Sequence, residues 1–198
     1  IGGGRIVVRK ARRGETLADL DGRTLELTAD MLVIADESRP VALAGVIGGQ
    51  ASGITASTRD VFIESANFDP VSIRKTAKKL GLSTDASYRF ERGSDIGFAP
   101  QAARMAASLL TQMGGRASRG LIDRYPRPPK PRTVGLRLRR VAELLGVDVP
   151  EAFVADLLVR LGFRADTSHR SAWRVEVPTF RVDVSREADL VEEIARFY

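Results

Sequence analysis

The amino-acid sequence predicts an α+β protein made of two domains. Short runs of β-branched and aliphatic residues, separated by turn residues, predict a sheet in the first half. Amphipathic stretches that end at glycine predict helices in both halves. Four prolines within residues 124–131 favour an extended connector over the interior of a helix or strand. We therefore divide the chain into a first domain at 1–123, a Pro/Arg-rich linker at 124–132 and a second domain at 133–198.

The first domain is predicted to mix sheet and helix, with strands followed by helices. Four runs predict strands, at residues 6–8, 24–27, 32–34 and 61–63. Asp69 and Pro70 predict a helix start, because aspartate caps the free amides of a first turn and proline fits the first helical position. Apolar residues at helical spacing continue this helix up to Gly81. A second helix is predicted from about Pro100 to Met113, where two glycines follow.

The second domain has the element order of a winged helix. The predicted elements are helices at 139–145 and 150–161, strands at Phe163 and 173–177, and a last helix at 185–197. The polar residues 166–171 join the two strands. They include His169, the only histidine, which we interpret as a solvated loop residue.

Composition excludes several classes of protein. The chain of 198 residues contains no cysteine, so it has neither disulfides nor thiolate metal ligands, and nothing indicates an oxidising compartment. No apolar run approaches the length that spans a membrane, and no secretory signal is visible. These observations favour a cytoplasmic protein without a membrane partner.

Positive charge is concentrated around the linker. The formal net charge is +6, yet residues 116–140 carry nine basic side chains against the single acid Asp123. Such a local field attracts polyphosphate backbones. The alternative is a solvated linker that self-repulsion keeps extended.

Three segments of the first domain contain the residues of a candidate pocket. Residues 44–49 hold three glycines, which would let backbone amides approach a ligand closely. A carboxylate in an apolar, strand-like run follows, and a buried carboxylate needs a donor. Residues 84–93 place small side chains and two arginines around one turn. The candidate pocket residues are Ala44, Gly45, Gly48, Glu64, Thr84 and Ala86. The alternatives are an ordinary tight turn and a glutamate paired with a nearby arginine.

An acidic cluster lies near the C-terminus. Asp189, Glu192 and Glu193 are spaced i, i+3 and i+4, which places them on one helix face, and Asp183 lies one turn upstream. Hard oxygen ligands in this number suit Mg²⁺. The alternative is a solvated acidic face that pairs with arginines of the same region.

These segments, in this order, resemble the bacterial phenylalanyl-tRNA synthetase β subunit over nearly the whole chain. The glycine-rich turn, Glu64 and residues 84–93 match its editing domain, which would be incomplete at its N-terminus here. Residues 178–184 and 189–194 match the winged-helix-like domain that follows. The resemblance implies an ATP-dependent enzyme that charges phenylalanine tRNA, although this chain would bind no ATP itself. It also implies an α subunit, in an α2β2 assembly, that shares a Mg²⁺ site with Asp183, Asp189, Glu192 and Glu193.

The resemblance further implies that the pocket hydrolyses tyrosine wrongly esterified to phenylalanine tRNA. An apolar synthetic site rejects one added hydroxyl only weakly, so a second site must select for that hydroxyl. Glu64 would accept the phenolic hydrogen bond, the turn would allow backbone approach, and the small Thr84 and Ala86 would keep the pocket open. Thr84 could also orient water. With no nucleophile evident, water would attack with help from the tRNA ribose.

One further expectation concerns the isolated chain, and two rival functions stay open. In this family a histidine that contributes to editing lies upstream of the position of Ile1, so we expect the isolated chain not to edit. One rival is a non-enzymatic winged-helix module that binds nucleic acid through the basic stretch. The other is a magnesium-dependent phosphate enzyme built on the acidic cluster.

Overall fold

The computed structural model describes residues 1–169 and 172–198, and it divides into two compact units. Unit 1 comprises residues 1–94 and 99–117, and unit 2 comprises residues 95–98 and 118–198. Both units combine helices with antiparallel sheet, which confirms the α+β class. No helix in the described residues has the length and apolar composition needed to cross a bilayer.

Unit 1 is built around a four-stranded antiparallel sheet. Its strands, in chain order with those of a separate two-stranded ribbon, are β1 (Val7–Lys10), β2 (Thr16–Ala18), β3 (Thr24–Glu26), β4 (Leu32–Ala35), β5 (Pro40–Leu43) and β6 (Ile47–Gly48). The sheet order is β1-β4-β5-β6, and β2 pairs with β3. Val7 lies opposite Ala35, and Val33 lies opposite Leu43. Val33, Ala35 and Leu43 are buried, so one face of the sheet forms the core.

Three helices of unit 1 follow the sheet: α1 (Pro70–Leu80), α2 (Asp85–Phe90) and α3 (Ala99–Gln112). The signals at both ends of α1 act as predicted. The Asp69 carboxylate accepts a hydrogen bond from the Ser72 amide at 2.7 Å, and Gly81 ends the helix at a φ of +62°. Ile73 and Ala77 on α1 are buried with the sheet residues.

The predicted strand at 61–63 is wrong. Residues 53–69 form neither helix nor strand, and Val61 and Phe62 are exposed. A β-rich run becomes a strand only where another strand pairs with it, and no described strand pairs with these residues. The prediction also missed α2 and the short strands β2, β5 and β6.

Unit 2 contains a three-stranded sheet covered by three helices. Its elements are β7 (Arg132–Leu136), α4 (Leu138–Leu145), α5 (Glu151–Arg160), β8 (Arg164–Asp166), β9 (Trp173–Val177) and α6 (Glu187–Phe197). The sheet order is β7-β9-β8, with all pairs antiparallel. Trp173, Leu136 and Phe163 are almost fully buried in its core. The sequence predicted α4, α5, β9 and α6, placed a strand at Phe163 where β8 begins one residue later, and missed β7. The predicted connection at 166–171 includes Arg170 and Ser171, which lie outside the described residues.

Candidate functional site

The glycine-rich turn joins β5 to β6, and its shape requires glycine at one position. The Val46 amide donates to the Leu43 carbonyl at 3.0 Å, and Gly45 has a φ of +67°, as at the third position of a type II turn. A Cβ atom on Gly45 would lie 2.7 Å from both the Phe68 ring and the Ile73 side chain. Gly45 therefore serves packing within unit 1 as well as turn geometry.

Ala44 and Gly48 occupy different environments on this turn. Ala44 is buried, so its methyl group belongs to the core. Gly48 is half-buried in β6, where its carbonyl accepts from the Leu20 amide at 3.1 Å. A Cβ atom there would lie 3.1 Å from the Leu20 side chain, which is tight but movable. The turn therefore exposes fewer of the predicted pocket residues than the sequence indicates.

Thr84 ties the turn to the start of α2. Its hydroxyl donates to the Val46 carbonyl at 2.6 Å and accepts from the Ser87 amide at 3.0 Å. The Ser87 hydroxyl in turn accepts from the Thr84 amide at 3.0 Å, which completes a capping box. Because Thr84 donates its one hydroxyl proton to the Val46 carbonyl, this side chain does not donate to a water or a substrate here. Ala86, half-buried, is the second residue of the helix that Thr84 caps.

Glu64 lies in the irregular segment 53–69 and differs from the expected buried strand residue. The residue is exposed, yet desolvation by surrounding protein atoms raises the pKa of its carboxyl group above the ordinary value. Burial by protein atoms without a compensating donor disfavours the charged form of this carboxylate. Among the described residues it accepts no hydrogen bond and pairs with no arginine.

Neighbouring side chains anchor the segment that carries Glu64. The Ser65 hydroxyl donates to the Ala99 carbonyl at 2.7 Å, and the Asn67 amide nitrogen donates to the Ser94 carbonyl at 2.9 Å. Phe68 contacts the turn and packs edge-to-face on Phe90, with ring centroids 5.0 Å apart. Since Glu64 and Phe68 are four positions apart along the chain, their Cα atoms lie within about 15 Å of one another.

The structure thus brings the turn, Phe68 and the start of α2 into contact. Glu64 lies close to them along the chain. Sequence reasoning missed the anchoring residues. Their only signal is the two small polar side chains, Ser65 and Asn67, that lie between Glu64 and the helix cap at Asp69. A separate depression in unit 1, of about 310 Å³, contains none of the six predicted residues. It is lined by Thr16, Leu17, Ala18, Arg39, Pro40, Val41, Gly49, Ala51 and Ser52.

In unit 2, arginines pair with three of the four predicted metal ligands, Asp183, Asp189 and Glu193. Arg181 binds Asp183 through two hydrogen bonds of 2.9 and 2.7 Å, and its third nitrogen donates to Glu193 at 2.9 Å. Arg196 donates to the other Glu193 oxygen at 2.9 Å. These donors lower the pKa of the Asp183 and Glu193 carboxyl groups. The Arg181 side chain is 15% exposed and that of Glu193 only 6%.

Asp189 is held by backbone amides as well as by the side chain of Arg186, which donates to it at 3.1 Å. Asp189 caps α6 by accepting from the Ser185 and Arg186 amides at 2.8 and 3.0 Å, which lowers its pKa to about 2. Glu192 is exposed. Within residues 1–169 and 172–198, no group of three acidic or histidine side chains is arranged to hold a metal ion. The four residues therefore do not fit a metal site in this arrangement. They fit the alternative better, an acidic face that pairs with arginines of the same region.

The structure divides the nine basic residues of 116–140 into two sets. Arg137 pairs with Glu187, Arg139 and Arg140 pair with Glu143, and Arg132 donates to the Val184 carbonyl at 2.8 Å. The remaining five make no ion pair with any carboxylate in the described residues, and all are exposed. These free cations are Arg116, Arg119, Arg124, Arg127 and Lys130.

Comparisons with known proteins match both units. A family model described as the B3/4 domain matches residues 1–115, and one described as the tRNA synthetase B5 domain matches residues 134–198. Phenylalanine–tRNA ligase beta subunits are similar to the chain: that of Carboxydothermus hydrogenoformans is 46% identical over 193 residues, and that of Moorella thermoacetica 47% over 197. These alignments cover 97% and 99% of the chain but 24% of each relative, so the chain spans about a quarter of their length.

A solved N-terminal fragment of the phenylalanyl-tRNA synthetase β subunit from Pyrococcus horikoshii aligns more loosely. The alignment covers 96% of this chain and 55% of the fragment, at 13% identity and a TM-score of 0.46.

Proposed function

Because this chain belongs to the family of phenylalanine–tRNA ligase β subunits, we propose that it serves such a ligase by hydrolysing tyrosine wrongly esterified to phenylalanine tRNA. The parent enzyme would use ATP bound elsewhere and would assemble with an α subunit, as α2β2, in the cytoplasm. The single observation that carries the editing proposal is Glu64, a crowded carboxylate with a raised pKa and no donor among the described residues.

An unpaired carboxylate is the group that selection for tyrosine requires. A phenol can donate to it in a strong, charge-assisted hydrogen bond, whereas a phenylalanine ring would leave the desolvated charge without a partner. Discrimination between substrates that differ by one such group reaches about 10⁴–10⁵ when the site provides the partner. The exposure of Glu64 makes it accessible to a substrate attached to a tRNA end.

The other candidate residues contribute shape more than chemistry. Gly45 and Gly48 keep side chains off the turn, and Ala86 adds only a methyl group beside the capping box. Thr84 holds the turn against α2, so we assign it to the frame of the pocket. With neither histidine nor cysteine among these residues, the proposed nucleophile is water, activated by the substrate's own ribose.

The test uses the full-length ligase with substitutions given in the numbering of this chain. Glu64→Gln keeps the shape of the side chain and removes its charge, and we expect it to slow release of tyrosine from tyrosyl-tRNA by at least about 10²-fold. Charging with phenylalanine should be unchanged. Glu37→Gln, at another exposed glutamate of unit 1, is the matched control. Wild-type deacylation by Glu64→Gln would end the editing proposal.

We propose in addition that the five free cations contact the tRNA. Their charge is not neutralised by described carboxylates, so it remains available to phosphates. Replacing Arg124, Arg127 and Lys130 with glutamine should weaken tRNA binding and lower the slope of log affinity against log salt by about 2–3, at 0.7–0.9 per lost contact. An unchanged slope would leave these residues as a solvated linker. Tighter binding of duplex DNA than of tRNA would favour the non-enzymatic rival.

For the acidic cluster, we propose that any Mg²⁺ requires a partner subunit. Asp183 and Glu193 would have to release Arg181 before they could bind a metal, and Asp189 would have to leave its capping position. This makes a magnesium-dependent phosphate enzyme the weaker rival.

A further inference from the structure

We propose that Ser65 and Asn67 are positioning residues that fix the Glu64 carboxylate, so that selection for tyrosine depends on their side-chain hydrogen bonds. This inference rests on the proposed function of Glu64. Neither residue belongs to the predicted pocket, and both lie within three positions of Glu64 along the chain.

The need for anchors follows from the backbone around Glu64. Residues 59–68 lie outside every helix and strand, and they make no backbone–backbone hydrogen bond within the described residues. A segment without such bonds samples many conformations unless side chains hold it, because each residue that is fixed loses conformational entropy. A mobile carboxylate would recognise a hydroxyl poorly.

Two side chains supply the missing hydrogen bonds. Ser65, the next residue after Glu64, donates from its hydroxyl to the carbonyl of Ala99 at the start of α3. Asn67 donates from one amide nitrogen to both the carbonyl and the hydroxyl oxygen of Ser94, at 2.9 and 2.8 Å. The carbonyl accepts only, so the orientation of the Asn67 amide is fixed. Both side chains are half-buried, whereas Glu64 is exposed.

The anchors act together with packing at one end of the segment. Phe68 is buried between Gly45 and Phe90, which fixes the chain where it enters α1. Upstream of Asn67, the half-buried Ala66 still packs against the core, whereas Val61 and Phe62 are exposed. Ser65 and Asn67 therefore extend the ordered backbone from Phe68 back to Glu64. A displacement of about 1 Å can cost on the order of 10²-fold in rate.

The experiment measures discrimination in the full-length ligase. Ser65→Ala and Asn67→Leu each remove the donated hydrogen bonds with little change in size. We expect each to reduce the ratio of tyrosyl-tRNA to phenylalanyl-tRNA hydrolysis by about 10- to 100-fold. Ser65→Thr keeps the hydroxyl and should retain most of the ratio. Ser57→Ala, in the same irregular segment, is the matched control, because the Ser57 hydroxyl bonds to the exposed Thr55 and to no other group in the described residues.

A double-mutant cycle separates positioning from general stability. In a Glu64→Gln background, Ser65→Ala and Asn67→Leu should reduce the hydrolysis ratio little further, because the carboxylate that Ser65 and Asn67 position is gone. An equal loss in both backgrounds, or an unchanged ratio in the single variants, would overturn the inference. Phenylalanine charging at wild-type rate shows that each variant is folded.

A readout independent of editing tests the anchors themselves. Chymotryptic cleavage after the exposed Phe62 should be faster in Ser65→Ala and Asn67→Leu than in the wild type, and unchanged in Ser57→Ala. If cleavage rises but Glu64→Gln leaves deacylation intact, the anchors hold the segment and the proposed function fails. If cleavage does not rise, the positioning inference fails while the role of Glu64 stands on its own test.

Discussion

At the scale of single residues, the direction of a pKa shift separates the carboxylates. In unit 2, the pKa values of Asp183, Asp189 and Glu193 are lowered because arginines or helix amides donate to them. In unit 1, the pKa of Glu64 is raised because desolvation acts without a compensating donor. The first group stabilises its fold, whereas Glu64 is destabilised in its charged form, which is typical of a group reserved for a ligand.

This contrast predicts how Glu64→Gln changes stability with pH. Folding raises the pKa of Glu64, so its contribution to stability is fully present below the ordinary pKa of an unfolded glutamate and is lost as the pH rises through the raised value. Glu64→Gln should therefore increase the free energy of unfolding at neutral pH, by up to about 1 kcal/mol because water screens part of the charge. At acidic pH it should have little effect.

Urea midpoints at acidic and neutral pH would measure this difference. Glu37→Gln, at an exposed glutamate without a described partner, should leave the midpoint unchanged at either pH. A Glu64→Gln variant that is less stable at neutral pH would contradict the desolvation account.

Gly45 offers a second prediction, since both its φ and its neighbours exclude a side chain. Gly45→Ala should lower the free energy of unfolding by about 2–4 kcal/mol, from the strained φ and the forced shift of Phe68 and Ile73. Gly14→Ala isolates the first cause, because Gly14 has a φ of +78° but no atom within 4 Å of an added Cβ; it should cost about 1 kcal/mol. Equal losses would show that packing around Gly45 relaxes freely.

At the scale of elements, α2 depends on contacts outside itself. A helix of six residues is too short to be stable by propensity, so its cap and its tie to the turn matter. Thr84 provides both, through Ser87 and the Val46 carbonyl. Together with the packing of Phe90 on Phe68, Thr84 therefore fixes the orientation of α2 against the turn.

Substitutions of Thr84 test this dependence. Thr84→Val has the same shape without the hydroxyl, and it should lower the free energy of unfolding by about 1–3 kcal/mol through loss of the cap and of a buried carbonyl's partner. Thr84→Ser should retain most of the stability. Chemical unfolding monitored by far-UV circular dichroism measures both. Equal stability of the valine and wild-type proteins would show that the hydroxyl is not the link.

The same elements show what the sequence can and cannot predict. The α1 helix was predicted correctly because Asp69 and Gly81 mark both of its ends. The α2 helix was missed because six residues are too few to display apolar periodicity. Residues 61–63 failed as a strand because β propensity depends on a pairing partner that the sequence does not reveal. The predicted pocket positions stay a prediction, but their surroundings were read incorrectly, since Glu64 is exposed and Thr84 is bonded to backbone.

At the scale of the whole molecule, the two units are stabilised in different ways. The core of unit 1 packs against a turn that only glycine can make, and its candidate site is an irregular segment. Unit 2 combines an apolar core with an ionic network centred on Arg181. That network occupies the carboxylates that a metal would need.

Unit 2 should therefore fold without a metal and depend on Arg181. Arg181→Met should lower its free energy of unfolding by about 2 kcal/mol or more, because it leaves the nearly buried Glu193 with Arg196 alone. Arg164→Met, at a pair whose arginine is 85% exposed, should change stability by less than about 1 kcal/mol. Neither excess Mg²⁺ nor a chelator should move the thermal midpoint of the wild type. A midpoint that rises with Mg²⁺ would contradict this account.

The burial of Trp173 gives the chain an internal optical reporter. It is the only tryptophan in the sequence, and it lies 1% exposed in the core of unit 2. Its fluorescence will shift to longer wavelength when that core opens to water, whereas unit 1 has no tryptophan to respond. Emission and far-UV circular dichroism, recorded on the same sample, therefore weight the two units differently. Variants at Gly45 or Thr84 should shift the dichroism transition, and those at Arg181 should shift the fluorescence.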